Sequence, residues 1–441
     1  MFSNVHQKQL YFNNKKTILV ANDGGTLTND AGIVLVAEFL KKIDFDKLLK
    51  NRVHIEDKRQ SPEHQWSEVI KQWLFQLIAG YSKDRDANTI QYDEVFKQAL
   101  EQESLSSQST FSNLLKTLTA ENIEQLSQTA KDLGDLWMTH EVTENIILDV
   151  DSTACFTYGK QEKAQYISHY GAKGLHPFVC FDGLTGLALD MRNRRGQAYT
   201  STGSKDYLEK MIDHYSEMTS APYMMVRGDS GFATPEIYDL CEEKDIKYVI
   251  KLKINKRLTT MAEEHVLYCG KDSDFTKTES QYFNMVYQAA SWKKPRTVAV
   301  KATRPASEFF FNDFQFIVTN YENFSAKLIF QIYQKRGNME NFIKEMKSGF
   351  FASKTDSHTF VENSARLALS FIAYNIMHLM KNLTFPEKEK KTVIDTIRFR
   401  LFHIAGKITK HARQINIHLS SANVYDQLFW NVLANIQRLN I

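Results

Sequence analysis

The sequence predicts an α/β protein: a mixed five-stranded sheet flanked by helices, preceded by a helical domain, interrupted by a β-rich insertion and followed by an α/β extension. Three observations carry this expectation. Residues 31–140 repeat apolar positions at spacings of three and four, the helical period. From Asn145 onward, short β-branched and aromatic runs alternate with helical ones in the order β-β-β-α-β-α-β. Between Ile254 and Asn320 the helical period gives way to further strand-like runs. The expected boundaries are 1–140, 141–253, 254–326, 327–385 and 386–441.

Taken in order, a strand is expected at Lys16–Ala21, followed by the turn Asn22-Asp23-Gly24-Gly25. Helices are expected over Ala31–Ile43, Gln65–Ala79, Tyr92–Ala99, Gln108–Leu118 and Ile123–Trp137. Ser106, Ser107 and Ser109 are candidate caps for the helix bearing Phe111 and Leu114. Strands follow at Asn145–Asp151, Leu175–Asp182 and, after the Asp182-Gly183 turn, Leu187–Arg192. Next come helix Ser204–Met218 with Ser204 as its cap, strand Tyr223–Arg227, helix Pro235–Glu243 with proline in its first turn, and strand Lys247–Lys253. Gln281–Ala289, Thr297–Thr303 and Phe309–Thr319 read as a small antiparallel insertion. Helices then run over Ile332–Lys347, Val361–Lys381, Val393–Ile404 and Tyr425–Leu439, with an alternating strand at Gln414–Ser420.

With 441 residues, 43% of them apolar, the chain has material for two or three buried cores. No run reaches the roughly 18 to 20 apolar residues of a membrane span, and the first residues lack the apolar core of a secretory signal, so a cytoplasmic protein is expected. Leu367–Met380 comes nearest but holds Asn375 and His378, and is better read as a buried helix. Cys155, Cys180, Cys241 and Cys269 have neither zinc-finger nor disulfide spacing and are expected as reduced core thiols. The net charge of +3 is uneven: from Gln331 onward 16 Lys+Arg face 8 Asp+Glu, a bias compatible with a polyanionic partner.

The chemistry lies in the carboxylates. In "IILDVDST" an apolar run ends in Asp149 and Asp151, which period two places on one strand face, at the sheet edge where open α/β sheets bind ligands. "YMMVRGDSGF" repeats the arrangement with Asp229. Its Gly-Asp-Ser-Gly looks like the loop around a protease serine, Ser230, and its Arg-Gly-Asp like an adhesion tripeptide. The first needs a barrel of β-strands with a histidine and a buried aspartate earlier in the chain, whereas the motif sits at a strand-to-helix junction of an α/β sheet; the second needs export, for which there is no signal. In "YQKRGNMENFIKEMK", Tyr333, Arg336, Glu340 and Lys347 fall within a roughly 60° arc of one helix face at about 100° per residue. Three carboxylates from two strand ends and a helix are the oxygen donors of a two-metal phosphoryl-transfer site, holding Mg²⁺ or Mn²⁺.

These residues resemble the insertion-sequence transposases of the DDE class, specifically the insertion sequence 4 superfamily with its Tyr-x2-Arg-x3-Glu-x6-Lys signature. "LDVDST", "HYGAKGLHPFVCFDGLTG" and "RGDSGFATPE" look most like the family of insertion sequence 1380. The resemblance implies an RNase H-like core carrying a β-rich insertion, and Asp151, Asp229 and Glu340 as catalytic, metal-holding residues. Asp149 competes with Asp151, which the Asp-x-Thr setting favours. It further implies two Mg²⁺ or Mn²⁺ ions, double-stranded DNA as partner (terminal inverted repeats and target), and a homodimer in a synaptic complex. Tyr333, Arg336 and Lys347 are the expected DNA contacts, and "SWKKPR" adds Trp292, Lys293, Lys294 and Arg296 as a stack-and-cation tip, or else a solvated hairpin. Arg194 and Arg195 are weaker candidates. A nuclease or resolvase without joining, and an inactive DNA-binding relative, are the alternatives.

Overall fold

The computed structural model describes residues 6–13, 15–141, 143–218, 223–267 and 274–440. The chain divides into two compact units, Thr119–Leu379 and a second made of Met1–Leu118 with Met380–Ile441.

The first unit is built on an eight-stranded sheet. Across it lie Glu279–Tyr287, Arg296–Arg304, Asp313–Thr319, Lys247–Leu252, Tyr223–Gly228, Asn145–Ser152, Phe178–Asp182 and Ala188–Arg192. Counted along the chain, the five expected strands stand in the order 3-2-1-4-5. The Asp182-Gly183 turn makes a hairpin of strands two and three, which pair antiparallel. Helices Ser204–Ser216 and Pro235–Glu243 provide the crossovers that leave Asn145–Ser152, Tyr223–Gly228 and Lys247–Leu252 parallel. Period two then sorts the side chains. Ile146, Leu148 and Val150 point into the core with Tyr207, Met211, Ile237 and Tyr238. Ile147, Met225, Val249 and Ile317 meet helix Ala326–Gln334 through Ile329 and Phe330. Asp149 and Asp151, two and four residues after Ile147, share its face.

Several expectations change. The three later strands are antiparallel, but they extend the core sheet instead of forming a separate small one, because Asp313–Thr319 pairs with Lys247–Leu252. A helix, Lys256–Glu263, precedes them, capped by the Asn255 side chain on the Leu258 N–H. The expected strand Leu175–Asp182 starts only at Phe178, after His176-Pro177, since proline has no N–H for a ladder; its first residue, Leu175, instead ends the strand Ala172–Leu175, which joins a small sheet with Cys155–Phe156 and Gln165–Ile167. Helix Ala120–His140 belongs to this unit and not to the residues before it. The cap of Ser204–Ser216 is Gly203, in the left-handed region at φ 75°.

In the second unit, helices Val34–Lys42, Trp66–Ala79, Glu94–Ala99, Gln108–Thr117 and Asp426–Arg438 bury their apolar faces, with Trp73 stacked on Phe111 at 4.7 Å. Helix Phe45–Arg52 is an addition to the expected set. Ser107 stands at the cap of Gln108–Thr117, but its hydroxyl bonds that of Ser109 and not the helix. Strand Gln414–Leu419 finds a partner the sequence did not suggest, Gly406–His411, which also pairs Leu27–Thr28. Among the described residues no helix is long and apolar enough to cross a membrane. Cys155, Cys180 and Cys241 are buried free thiols; Cys269 lies outside the described residues.

Candidate active site

Strand register brings the two aspartates together. Arg227 lies opposite Asp149 and Gly228 opposite Val150 in the parallel ladder, so the next residues, Asp229 and Asp151, leave neighbouring strands at one level. Neighbouring strands are about 4.8 Å apart. Asp229 starts a short turn, Ser230–Phe232, and its carboxylate accepts the Gly231 N–H at 2.9 Å. Asp151 accepts the Ser152 N–H at 2.8 Å. Burial pushes the Asp151 carboxyl above its ordinary range, Arg336 pulls it down and the negative charge of Asp229 pushes it up again.

Asp149 and Asp151 share a strand face but not an environment. Asp149 is 0% exposed and receives Arg227, itself 1% exposed, through two bonds: Nε to Oδ1 at 2.6 Å and Nη2 to Oδ2 at 2.5 Å. The free arm of that guanidinium, Nη1, donates to the Ile332 carbonyl at 2.8 Å. Burial raises the Asp149 carboxyl and Arg227, then Arg336, draws it back; the fork geometry is that of an ion pair. A fully buried carboxylate already engaged by a forked guanidinium is out of reach of a cation, whereas Asp151 is partly exposed. The burial of Arg227 also removes the adhesion reading, since the tripeptide is not displayed.

The signature residues sit on two helical segments, Ala326–Gln334 and Gly337–Gly349, joined through Lys335 and Arg336. The expected single helix tightens here: Arg336 N–H reaches the Tyr333 carbonyl and Met339 N–H the Arg336 carbonyl, three residues back instead of four. Arg336 is buried and donates to Asp151 at 2.9 Å and to the Val150 carbonyl at 3.2 Å. Lys347 Nζ donates to the Ala154 carbonyl at 2.7 Å and to Thr153 Oγ1 at 3.2 Å. Both cations therefore grip the chain on either side of Asp151. The half-buried Tyr333 phenol is raised by burial; Arg336 lowers it, and Asp229, Asp151 and Glu340 each raise it, which puts all three carboxylates within electrostatic reach of one hydroxyl. Glu340 is exposed.

Among the described residues no three His, Cys, Asp or Glu side chains stand close enough to enclose a metal ion as they are. The donor set nevertheless fits a divalent cation. Asp151 and Asp229 are hard oxygen donors that the strand register brings to one level; burial pushes the Asp151 carboxyl up, Arg336 offsets part of that, and the charge of Asp229 adds to it.

The other expected DNA contacts are distributed differently. Trp292 is 7% exposed and packs edge-on against Tyr238 and Tyr287, so it offers no face to a base. Arg296 is buried against Glu242 at 2.7 Å and Asp239 at 2.6 Å. Lys293 and Lys294 bond the same two carboxylates at 2.9 and 3.1 Å, though both lysines stay exposed. Arg194 lies 3.4 Å over the Phe178 ring and donates to the carbonyls of His176, Tyr199 and Thr202, while burial lowers its pKa to about 10. Arg195, by contrast, is exposed and lines a cleft of about 510 Å³ with Tyr166, His169, His176, Tyr199 and Thr200. That cleft adjoins the aspartates: Thr200 Oγ1 is 2.9 Å from Ser152 Oγ, and the Tyr170 phenol is raised by burial and then by Asp151 and Asp229.

Sequence reasoning missed Arg227, Tyr170 and Thr200. A signal for Arg227 exists: an arginine inside the apolar run "MMVRG", two residues before Asp229, matches Asp149 two residues before Asp151.

No curated protein matches the chain. Among solved structures, a piggyBac transposase synaptic complex with hairpin DNA is similar with a TM-score of 0.42 and 13% identity, over 85% of this chain and 80% of that one. A Mos1 transposase paired-end complex with the left transposon end is similar with a TM-score of 0.18 and 11% identity, over 44% of this chain and 61% of that one. The family model Transposase DDE domain group 1 matches residues 11–441, nearly the whole chain. The chain belongs to that family and is a DNA transposase with DDE-type catalysis.

Proposed function

We propose that this transposase cuts DNA at the terminal inverted repeats of its own element and joins the freed 3′ end to target DNA, with Asp151, Asp229 and Glu340 as the metal-holding carboxylates. The observation that carries the assignment is the ladder register that delivers Asp151 and Asp229 at one level on adjacent strands. The 3-2-1-4-5 strand order supports an RNase H-like core, and the signature spacing supports the insertion sequence 4 superfamily and the family of insertion sequence 1380. We divide the chain into a DNA-end-binding segment up to Leu118, a catalytic segment over Thr119–Leu379 that includes the β-rich insertion, and an extension from Met380.

Asp151, Asp229 and Glu340 would hold two divalent ions, Mg²⁺ or Mn²⁺, which would supply Lewis-acid activation of the attacking oxygen and neutralise charge on the leaving one. The protein's own residues position and exclude. Arg336 offsets part of the upward push that burial gives the Asp151 carboxyl, and Lys347 fixes the turn that follows it. Tyr333, its ionisation suppressed chiefly by burial, stays a hydrogen-bond donor. Exposed Arg195, Tyr199 and Tyr166 in the adjoining cleft suit a DNA strand, through phosphate contact and stacking. Because Arg336 and Lys347 are committed to the chain around Asp151, their charge acts on phosphate from behind the carboxylates. Two ends must be handled together, so a homodimer on double-stranded DNA is the working assembly.

The test is incubation of purified protein with labelled element ends, target DNA and Mg²⁺. End cleavage and joining are expected from the wild type and neither from Asp229→Asn or Glu340→Gln, both of which still bind ends. Full cleavage by either variant overturns the site; cleavage without joining supports a nuclease instead.

A further inference from the structure

We infer that the buried Asp149–Arg227 pair is a positioning clamp that sets the affinity of the neighbouring carboxylates for divalent metal. This rests on the metal-site reading above. The pair does more than fill the core, because Arg227 ties together the three elements that bring the carboxylates. It belongs to the strand that ends at Asp229, holds Asp149 on the strand that bears Asp151, and donates to Ile332 at the approach to the segment that bears Glu340. Asp149 and Arg227 each stand two positions before a proposed ligand, Asp151 and Asp229. Rotation or sliding of one strand against the other, or of the helix over both, breaks at least one of the three hydrogen bonds.

Gly183, in the turn beyond the neighbouring strand, lies so close that a Cβ there would stand 2.6 Å from Asp149 Oδ2 and closer still to Arg227 Nη2. The clamp is walled in, so a shorter or non-forked cation cannot reproduce it by shifting. Lysine keeps the charge and gives up the bidentate geometry and the bond to Ile332.

The test uses the full chain without DNA and Mn²⁺ as probe, titrated by electron paramagnetic resonance, beside thermal unfolding and single-turnover cleavage of labelled ends. Arg227→Lys is expected to weaken Mn²⁺ at least tenfold and to lower the cleavage rate while the KM for end DNA stays put. The apolar pair Asp149→Leu/Arg227→Met removes both charges together. It is expected to recover much of the unfolding temperature lost in Arg227→Met alone, yet to keep the weakened Mn²⁺ affinity. A merely structural pair predicts that Mn²⁺ affinity returns with stability. Wild-type Mn²⁺ binding in either variant overturns the clamp; a wild-type chain that takes up no Mn²⁺ overturns the metal reading on which it rests.

Discussion

Arg336 stands 2.9 Å from Asp151 and bonds the carbonyl of the preceding residue, Val150, so a helix residue serves as counter-ion to a strand-end carboxylate. In the metal-free chain this arginine occupies the charge role that a divalent cation would take. Arg336→Gln should therefore separate two properties. It leaves Asp151 facing Asp229 uncompensated, and removing one partner of such a pair costs about 3 kcal/mol; it also removes a competitor for the carboxylate. Urea unfolding should show the loss without metal and a larger Mn²⁺-induced recovery than in the wild type. An unchanged recovery argues that the guanidinium and the ion do not share Asp151.

The cationic tip "SWKKPR" should behave as structure more than as a DNA contact. Trp292 is buried between two tyrosines and Arg296 between two carboxylates. Trp292→Ala is expected to cost roughly 3 to 5 kcal/mol of stability, and neither it nor Lys293→Ala should lower end binding more than twofold. Chemical denaturation and binding at several salt concentrations distinguish the two roles, because a lost phosphate contact reduces the salt slope by about one.

Acid should expose the same cluster. Burial opposes ionisation of Asp239 and Glu242, but hydrogen bonds from Lys293 and Arg296 to the first, and from Arg296, Lys294 and Tyr248 to the second, hold both below the usual carboxylate range. A depressed folded value contributes stability that is present above the unfolded values near pH 4 and is lost as pH falls through the folded ones. The wild-type urea midpoint should thus fall more steeply between about pH 5 and pH 3 than that of Arg296→Met, which lacks the chief partner. Parallel curves would place the acid-sensitive groups elsewhere.

What the sequence made legible follows from what periodicity encodes. Helices such as Trp66–Ala79 and Pro235–Glu243, with clear apolar faces and start signals, lie where expected, as do the strands ending in Asp151 and before Asp229. Alternation reveals that a strand exists but not what it pairs with. For that reason Asp313–Thr319 joining the core sheet, and Gly406–His411 beside Gln414–Leu419, were out of reach. Helix Phe45–Arg52 escaped because only Phe45 and Leu49 of its eight residues are buried, too few to form a pattern. At the candidate site the carboxylates were visible as residues ending apolar runs. The contrast between Asp149 and Asp151 was not, because it depends on Arg227 arriving from a strand 78 positions away.

Gly183 provides the sharpest check on that contrast. It touches neither DNA nor metal in any reading, and its backbone is not in the left-handed region, so alanine there is sterically ordinary except for its neighbours. The added Cβ would fall 2.6 Å from Asp149 Oδ2 and nearer still to Arg227 Nη2, in a site closed by the Gly183 N–H to Ile147 carbonyl bond at 2.8 Å. The fork must open or the turn must move, at about 1 to 3 kcal/mol for overpacking. Gly183→Ala should then copy Arg227→Lys, with weaker Mn²⁺ uptake and slower cleavage at unchanged end binding. The same substitution at Gly203 meets nothing within 4 Å and, although strained by its positive φ, should leave Mn²⁺ uptake as it was. Equal effects of the two alanines on Mn²⁺ would mean that the pair under Gly183 has no special hold on the carboxylates.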